Sequence, residues 1–196
     1  MRSARWMTLA ATAVLTLAAC GGDGNGGTGP GNGGGGATAS FSATVSGDVQ
    51  GTVKGDARYG LATDPDLGSV FGVEMSEGGT GGGLIQLIHL GTGIPGTGSY
   101  SISDAVNGTP ADGDWVAVAY DADNGQLTAV FVATGGTVKV TRASGGTYEG
   151  TFDFSATGTV MSDPSTPLTV GVTGKFKATS LPGGAAIRAL PELRSR

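Results

Sequence analysis

The chain predicts an all-β domain: an antiparallel β-sandwich of about nine strands, or a closed β-barrel, which the same pattern allows. Three observations carry this. Only 14% of the residues are charged while 39 are glycine, and Thr and Val are abundant, a composition that suits strands and tight turns. Short runs alternate apolar and polar side chains with a period of two. The gaps between those runs are polar and brief, and no segment of useful length shows the helical period.

In chain order, Phe41, Ala43, Val45, Gly47, Val49, Gly51 and Val53 alternate with Ser42, Thr44, Ser46, Asp48, Gln50, Thr52 and Lys54. This reads as one half-buried first strand. Thr63-Asp64-Pro65-Asp66 marks a turn. Ser69 to Met75 and Gly83 to Leu90 follow as strands, the second apolar at nearly every position and therefore central, covered on both faces. Ser99 to Ser103 is a short strand. Trp115 to Tyr120 and Leu127 to Thr134 flank Asp121-Ala122-Asp123-Asn124-Gly125, a hairpin signal because Asn-Gly accepts positive φ. Thr137 to Arg142 and Thr147 to Ala156 are joined by Ala143-Ser144-Gly145-Gly146. In the last strand, Leu168 to Thr179, Leu168, Val170, Val172, Phe176 and Ala178 face one way, and Thr169, Thr173, Lys175 and Lys177 the other. Tight sequential connections predict mostly antiparallel pairing. A domain over residues 40–180 is long enough to bury roughly two-thirds of its unfolded surface without a disulfide.

A small code recurs: Phe41-Ser42-Ala43-Thr44, Phe131-Val132-Ala133-Thr134, Phe154-Ser155-Ala156-Thr157 and Phe176-Lys177-Ala178-Thr179. Each sets a large ring beside a small residue on one face, so that facing layers can interlock. After Leu181 the alternation stops at Pro182-Gly183-Gly184. Ala185 to Leu190 offers at most one loose helical turn, and residues 181–196 read as a poorly ordered tail.

The start of the chain has a different character. Arg2 and Arg5 precede an uncharged apolar run from Trp6 to Ala19, shorter than the ~20 residues a spanning helix needs. A basic start, a short apolar middle and small residues before a cut describe a secretory signal over residues 1–19. The run ends on Leu17-Ala18-Ala19-Cys20, which resembles the lipobox of bacterial lipoproteins. The resemblance implies cleavage before Cys20, a diacylglycerol on its thiol, palmitate-type acylation of the new amino end, and a lipid-anchored place in the cell envelope. With Gly21 rather than an aspartate after the cysteine, it leans toward the outer membrane. Cys20 is the chain's only cysteine, so it has no internal disulfide partner, and a lone thiol in an exported chain asks for an explanation. Two or more acyl chains make such an anchor lasting. From Gly21 to Gly36 there are 11 glycines in 16 residues. Residues 20–39 therefore read as the lipidated Cys20 and a disordered tether, with an end-to-end distance of roughly 20–24 Å for the glycine stretch. Gly150-Thr-Phe-Asp-Phe-Ser-Ala156 and Gly174-Lys-Phe-Lys-Ala178 are similar to the closing strands of uncharacterised envelope lipoproteins with a β-sandwich domain, a likeness that brings no activity with it.

Without Arg2 and Arg5 the chain keeps nine basic residues against sixteen acidic ones, a net charge of −7. That balance argues against nucleic acid and anionic lipid surfaces as partners. His89 is the only histidine, set between Ile88 and Leu90. Without a Gly-x-Ser-x-Gly elbow it reads as a histidine satisfied in or near a sheet, not a catalytic base. Gly91-Thr92-Gly93-Ile94-Pro95-Gly96 matches a dinucleotide fingerprint but leads into a strand, so no helix end meets a phosphate. Asp121, Asp123 and Asn124 imitate the opening of a calcium loop, but Gly125 arrives one place early and no closing Glu follows, so a turn is preferred. Asp112 and Asp114 do not complete that site, and nothing singles out a glycosidase pair. Tyr59, Tyr100, Trp115 and Tyr120 fit core packing better than a sugar platform. The expectation is thus a non-catalytic binding or scaffolding module, with no catalytic residues, no cofactor and no metal, tethered through Cys20 and meeting an unknown envelope protein or glycan. A carrier with an apolar cavity and an envelope hydrolase using loop carboxylates are the alternatives.

Overall fold

The computed structural model describes residues 38–64, 68–78, 82–124 and 126–181. The predicted signal, Cys20, the glycine-rich tether, the Pro65-Asp66 part of the first turn, Gly125 and the predicted tail beyond Leu181 lie outside them. The described chain is all-β, in nine strands: β1 (Ser40–Gly47), β2 (Gly51–Asp64), β3 (Gly68–Ser76), β4 (Leu84–Leu90), β5 (Gly98–Ile102), β6 (Trp115–Asp123), β7 (Gln126–Ser144), β8 (Thr147–Val160) and β9 (Asp163–Ser180). They form a single sheet in the order β1-β2-β3-β4-β6-β5-β7-β8-β9, and β9 returns to pair with β1. Opposite walls of this closed sheet face each other across one core. Pairing is antiparallel except for two short contacts, Ile102 beside Trp115 and the end of β9 beside Arg58 and Tyr59.

Two details depart from the sequence pattern. The run from Phe41 to Lys54 is not one strand but a hairpin, β1 and β2, turning at Asp48–Gln50. Gly47 supplies a φ of 103° there, and Asp48 clamps the turn to β9. Its N–H donates to the Thr169 carbonyl at 3.0 Å, and its carboxylate accepts from the Thr169 N–H at 2.8 Å. The turn preserves parity, so Phe41, Ala43 and Val45 before it and Val49 and Val53 after it are all buried. Conversely, Leu127–Thr134 and Thr137–Arg142 belong to one 19-residue strand, β7. A register shift carries it past Gly135, and a Cβ on Gly136 would run into the Asp153 carbonyl and Phe154. That length has a purpose: the first part of β7 pairs with β6, and the second part with β5.

The repeated Phe and Ala residues all point inward. Phe41, Ala43, Phe131, Ala133, Phe154, Ala156, Phe176 and Ala178 are each at most 5% exposed and share the main core. Missing side chains complete the interlock. A Cβ on Gly150 would lie 2.9 Å from the Phe176 ring, and one on Gly174 would run into the Phe152 ring. As expected, β4 is covered on both sides. Ile85 and Leu87 enter the main core, while Ile88 and Leu90 join Ala62, Val70, Val116 and Val118 in a second cluster on the outer face. At ~1.5–3 kcal/mol for each large apolar side chain buried, this coverage stabilises β4 from both faces.

Candidate functional site

The single histidine, His89, is the penultimate residue of β4, at one end of the closed sheet. Loop 103–114 folds back onto it: the Leu90 N–H donates to the Asp114 carbonyl at 2.8 Å, and the Gly113 N–H donates to the Leu90 carbonyl. His89 is half-buried, its ring 5.4 Å from that of Trp115. Burial pushes its pKa below 6.5, while Asp112, a backbone hydrogen bond at Gly113, and Asp114 pull the other way. Its Nδ1 has no hydrogen-bond partner, so the histidine is packed but not fully satisfied. Among the described residues no serine hydroxyl is hydrogen-bonded to it in a nucleophile–base pair.

Around it lies an aromatic cluster centred on Phe71, with Tyr148 at 4.8 Å, Tyr59 at 5.9 Å and Trp115 at 6.1 Å between ring centres. Tyr100 packs on Trp115 at 5.9 Å and donates its hydroxyl to the Gly96 carbonyl at 2.8 Å. Trp115 and Tyr148 are at most 1% exposed. These rings therefore serve the core, as the sequence favours, and do not form a sugar platform. The Trp115 Nε1 and the Tyr148 hydroxyl are buried without hydrogen-bond partners, and burial, with Tyr100 nearby, raises the tyrosine's pKa.

The remaining sequence candidates act as turn chemistry. Gly91 to Gly96 runs directly to strand β5. Asp104 receives the Val106 and Asn107 N–H groups at 2.8 and 2.9 Å, and Asp114 receives the Ala111 N–H at 2.8 Å. The Asp121 carboxylate accepts the Thr128 hydroxyl at 3.0 Å, and burial raises its pKa, with Glu77 and Asp123 adding to the rise. Asn124 adopts a φ of 50°, as an Asn-Gly hairpin requires. Among the described residues no three His, Cys, Asp or Glu side chains converge.

Sequence reasoning missed one feature, on the outer wall formed by β2, β1, β9, β8 and β7. Residues 59–138 hold no Lys or Arg, so every described cation sits on this wall or at its edge. Cross-strand register places three lysines in one line. Lys54 lies beside Ser42, Ser42 beside Lys175, Lys175 beside Thr151, Thr151 beside Lys139, and Lys139 beside Ser99. Lysine and hydroxyl alternate strand by strand. The adjacent line reads Thr52, Thr44, Thr173, Asp153, Thr137, Ser101. Between the two lines runs a groove of about 490 Å³, lined by Lys54, Lys175, Ser42, Thr44, Thr151 and Thr173 among others. Arg142 and Lys177 share Glu149 at 3.7 and 3.8 Å, whereas Lys54, Lys139 and Lys175 make no ion pair among the described residues. The gap between Arg58 and Lys139 was visible in the sequence, but the alignment depends on register between strands far apart in the chain.

No family model, no curated protein and no solved structure matches this chain.

Proposed function

We propose that the protein is a lipoprotein of the bacterial cell envelope, anchored through Cys20 and carrying a non-catalytic binding module on a glycine-rich tether. The observation that carries this is the placement of Leu17-Ala18-Ala19-Cys20 where a short, uncharged apolar run stops. Gly21 after the cysteine favours the outer membrane. The closed sheet supports a binding role over a carrier role, since 28 buried residues fill its main core and interlocking Phe, Ala and Gly leave close contacts across it. The engagement of Asp104, Asp114 and Asp121 in turns and hairpins weighs against a loop-carboxylate hydrolase. Metabolic labelling with a palmitate analogue tests the anchor. The wild type takes up label and partitions into detergent, and Cys20→Ser does neither; equal labelling of the two overturns the proposal.

A further inference from the structure

We propose that the line of lysines and hydroxyls on β2, β1, β9, β8 and β7 is a binding groove for an acidic glycan strand. This gives the module proposed above a partner class, and rests on that reading for its place in the envelope.

Strands in a sheet lie ~4.8 Å apart, so Lys54, Lys175 and Lys139, each two strands from the next, repeat at roughly 10 Å. That is close to the Debye length of about 8–10 Å at physiological salt. Asp153 lies on the same face, one diagonal step of ~7–8 Å from both Lys139 and Lys175, and offsets part of their field. It forms no ion pair with either lysine, so the three ammonium groups remain open to a partner that bears negative charges along a line. The whole chain is acidic, but nine acidic residues lie in the stretch 59–138. Screening separates those on the opposite wall from the field of the row, so the attraction is local.

The hydroxyls decide the class of partner. Ser42, Thr44, Thr52, Thr151 and Thr173 line the groove, each able both to donate and to accept. A polyhydroxylated chain carrying carboxylates or phosphates matches that inventory. A bilayer surface matches it less well, since interfacial binding buries apolar side chains. The exposed large apolar residues, Leu61, Ile94, Leu127 and Met161, are all absent from the two lines. The groove is shallow and open and takes in Lys54 and Lys175, and Lys139 continues the row beyond it. The lysines point outward because their neighbours point inward: Val53 before Lys54, Val138 and Val140 around Lys139, and Gly174 and Phe176 around Lys175. Their replacement leaves the core intact.

The test is binding of the purified full chain to polygalacturonate, with dextran as the uncharged control and phosphatidylglycerol vesicles as the membrane control. The wild type binds polygalacturonate in a salt-sensitive manner and does not bind dextran. The K54Q/K139Q/K175Q variant, with an unchanged thermal melt, binds at least roughly tenfold more weakly, as three exposed charge contacts of modest strength allow. The T44A/T173A variant weakens binding with the charges untouched. Absence of polygalacturonate binding, equal binding by the lysine variant, or vesicle binding that the lysines control while the glycan is ignored each overturn the proposal. Cys20→Ser separates the two readings: polymer binding without acyl label supports the groove and the anchor together, whereas labelled wild type with no polymer binding defeats the groove alone.

Discussion

Replacing Phe71 should remove the contact on which the interior is centred. Its ring is fully buried and meets Tyr148 and Trp115 edge-on and Tyr59 at a tilt. Through those contacts β3 is joined to β8, β6 and β2. A buried Phe→Ala change costs about 3–5 kcal/mol, transfer and cavity together. Phe71→Leu keeps most of the apolar volume and loses chiefly the edge-on geometry, which is worth ~0.5–1.5 kcal/mol for each aromatic pair. It should therefore cost about 1–2 kcal/mol. Against a total stability of ~5–15 kcal/mol, the alanine variant is marginal and the leucine variant folded. Urea unfolding can be followed by Trp115 fluorescence. With an m-value of about 1–3 kcal/mol/M, Phe71→Ala shifts the midpoint by on the order of 2 M, and Phe71→Leu by less than half as much. A loss under about 1 kcal/mol for alanine, or equal losses for both variants, would refute the claim that ring packing at Phe71 holds the walls together.

Burial lowers the pKa of His89 below 6.5, so between that value and the folded pKa the unfolded chain binds more protons than the folded one. Stability contributed by the neutral ring is present above about pH 6.5 and is lost as pH falls through that window; His89→Gln should flatten this part of a urea-midpoint profile. Gly174→Ala drives a methyl group toward the Phe152 ring and the Ser42 carbonyl, and overpacking of this kind costs roughly 1–3 kcal/mol, read as a lowered melting temperature. Glu149→Gln frees Arg142 and Lys177, but the pairs are long and partly exposed, so thermal stability should change by less than about 1 kcal/mol. Asn124→Val places a β-branched residue at a φ of 50° and should destabilise the β6–β7 hairpin by ~1 kcal/mol or more, whereas Asn124→Gly should be close to neutral on the same melt.

Much of this architecture was legible because burial on one face forces a period of two. Phe176 and Ala178 point into the core, and Thr173 and Lys175 out, as their spacing requires. The central, doubly covered β4 was legible because a strand without polar alternation has no face to give to water. The β1–β2 turn was hidden for the same physical reason: its length leaves odd-numbered residues inside before and after it. The continuity of β7 was hidden by Gly135-Gly136, which reads as a break but bends a strand that still pairs. Those two misreadings offset each other in the strand count. At the site, His89 was legible as a packed residue because of its apolar neighbours. The lysine row was not, because Lys54, Lys139 and Lys175 are distant in sequence and only the register of five strands aligns them. A net charge of −5 suggests nothing basic to recognise, yet the six described cations all lie outside the stretch 59–138, which holds nine acidic residues.

The proposed lipid anchor at Cys20 is tested most directly by mass spectrometry of the protein isolated from the membrane fraction of its host. The amino-terminal peptide should begin at Cys20 and carry the added mass of a thioether-linked diacylglycerol, with or without a further acyl chain. An unmodified amino terminus, or one that begins downstream of Cys20, would contradict it.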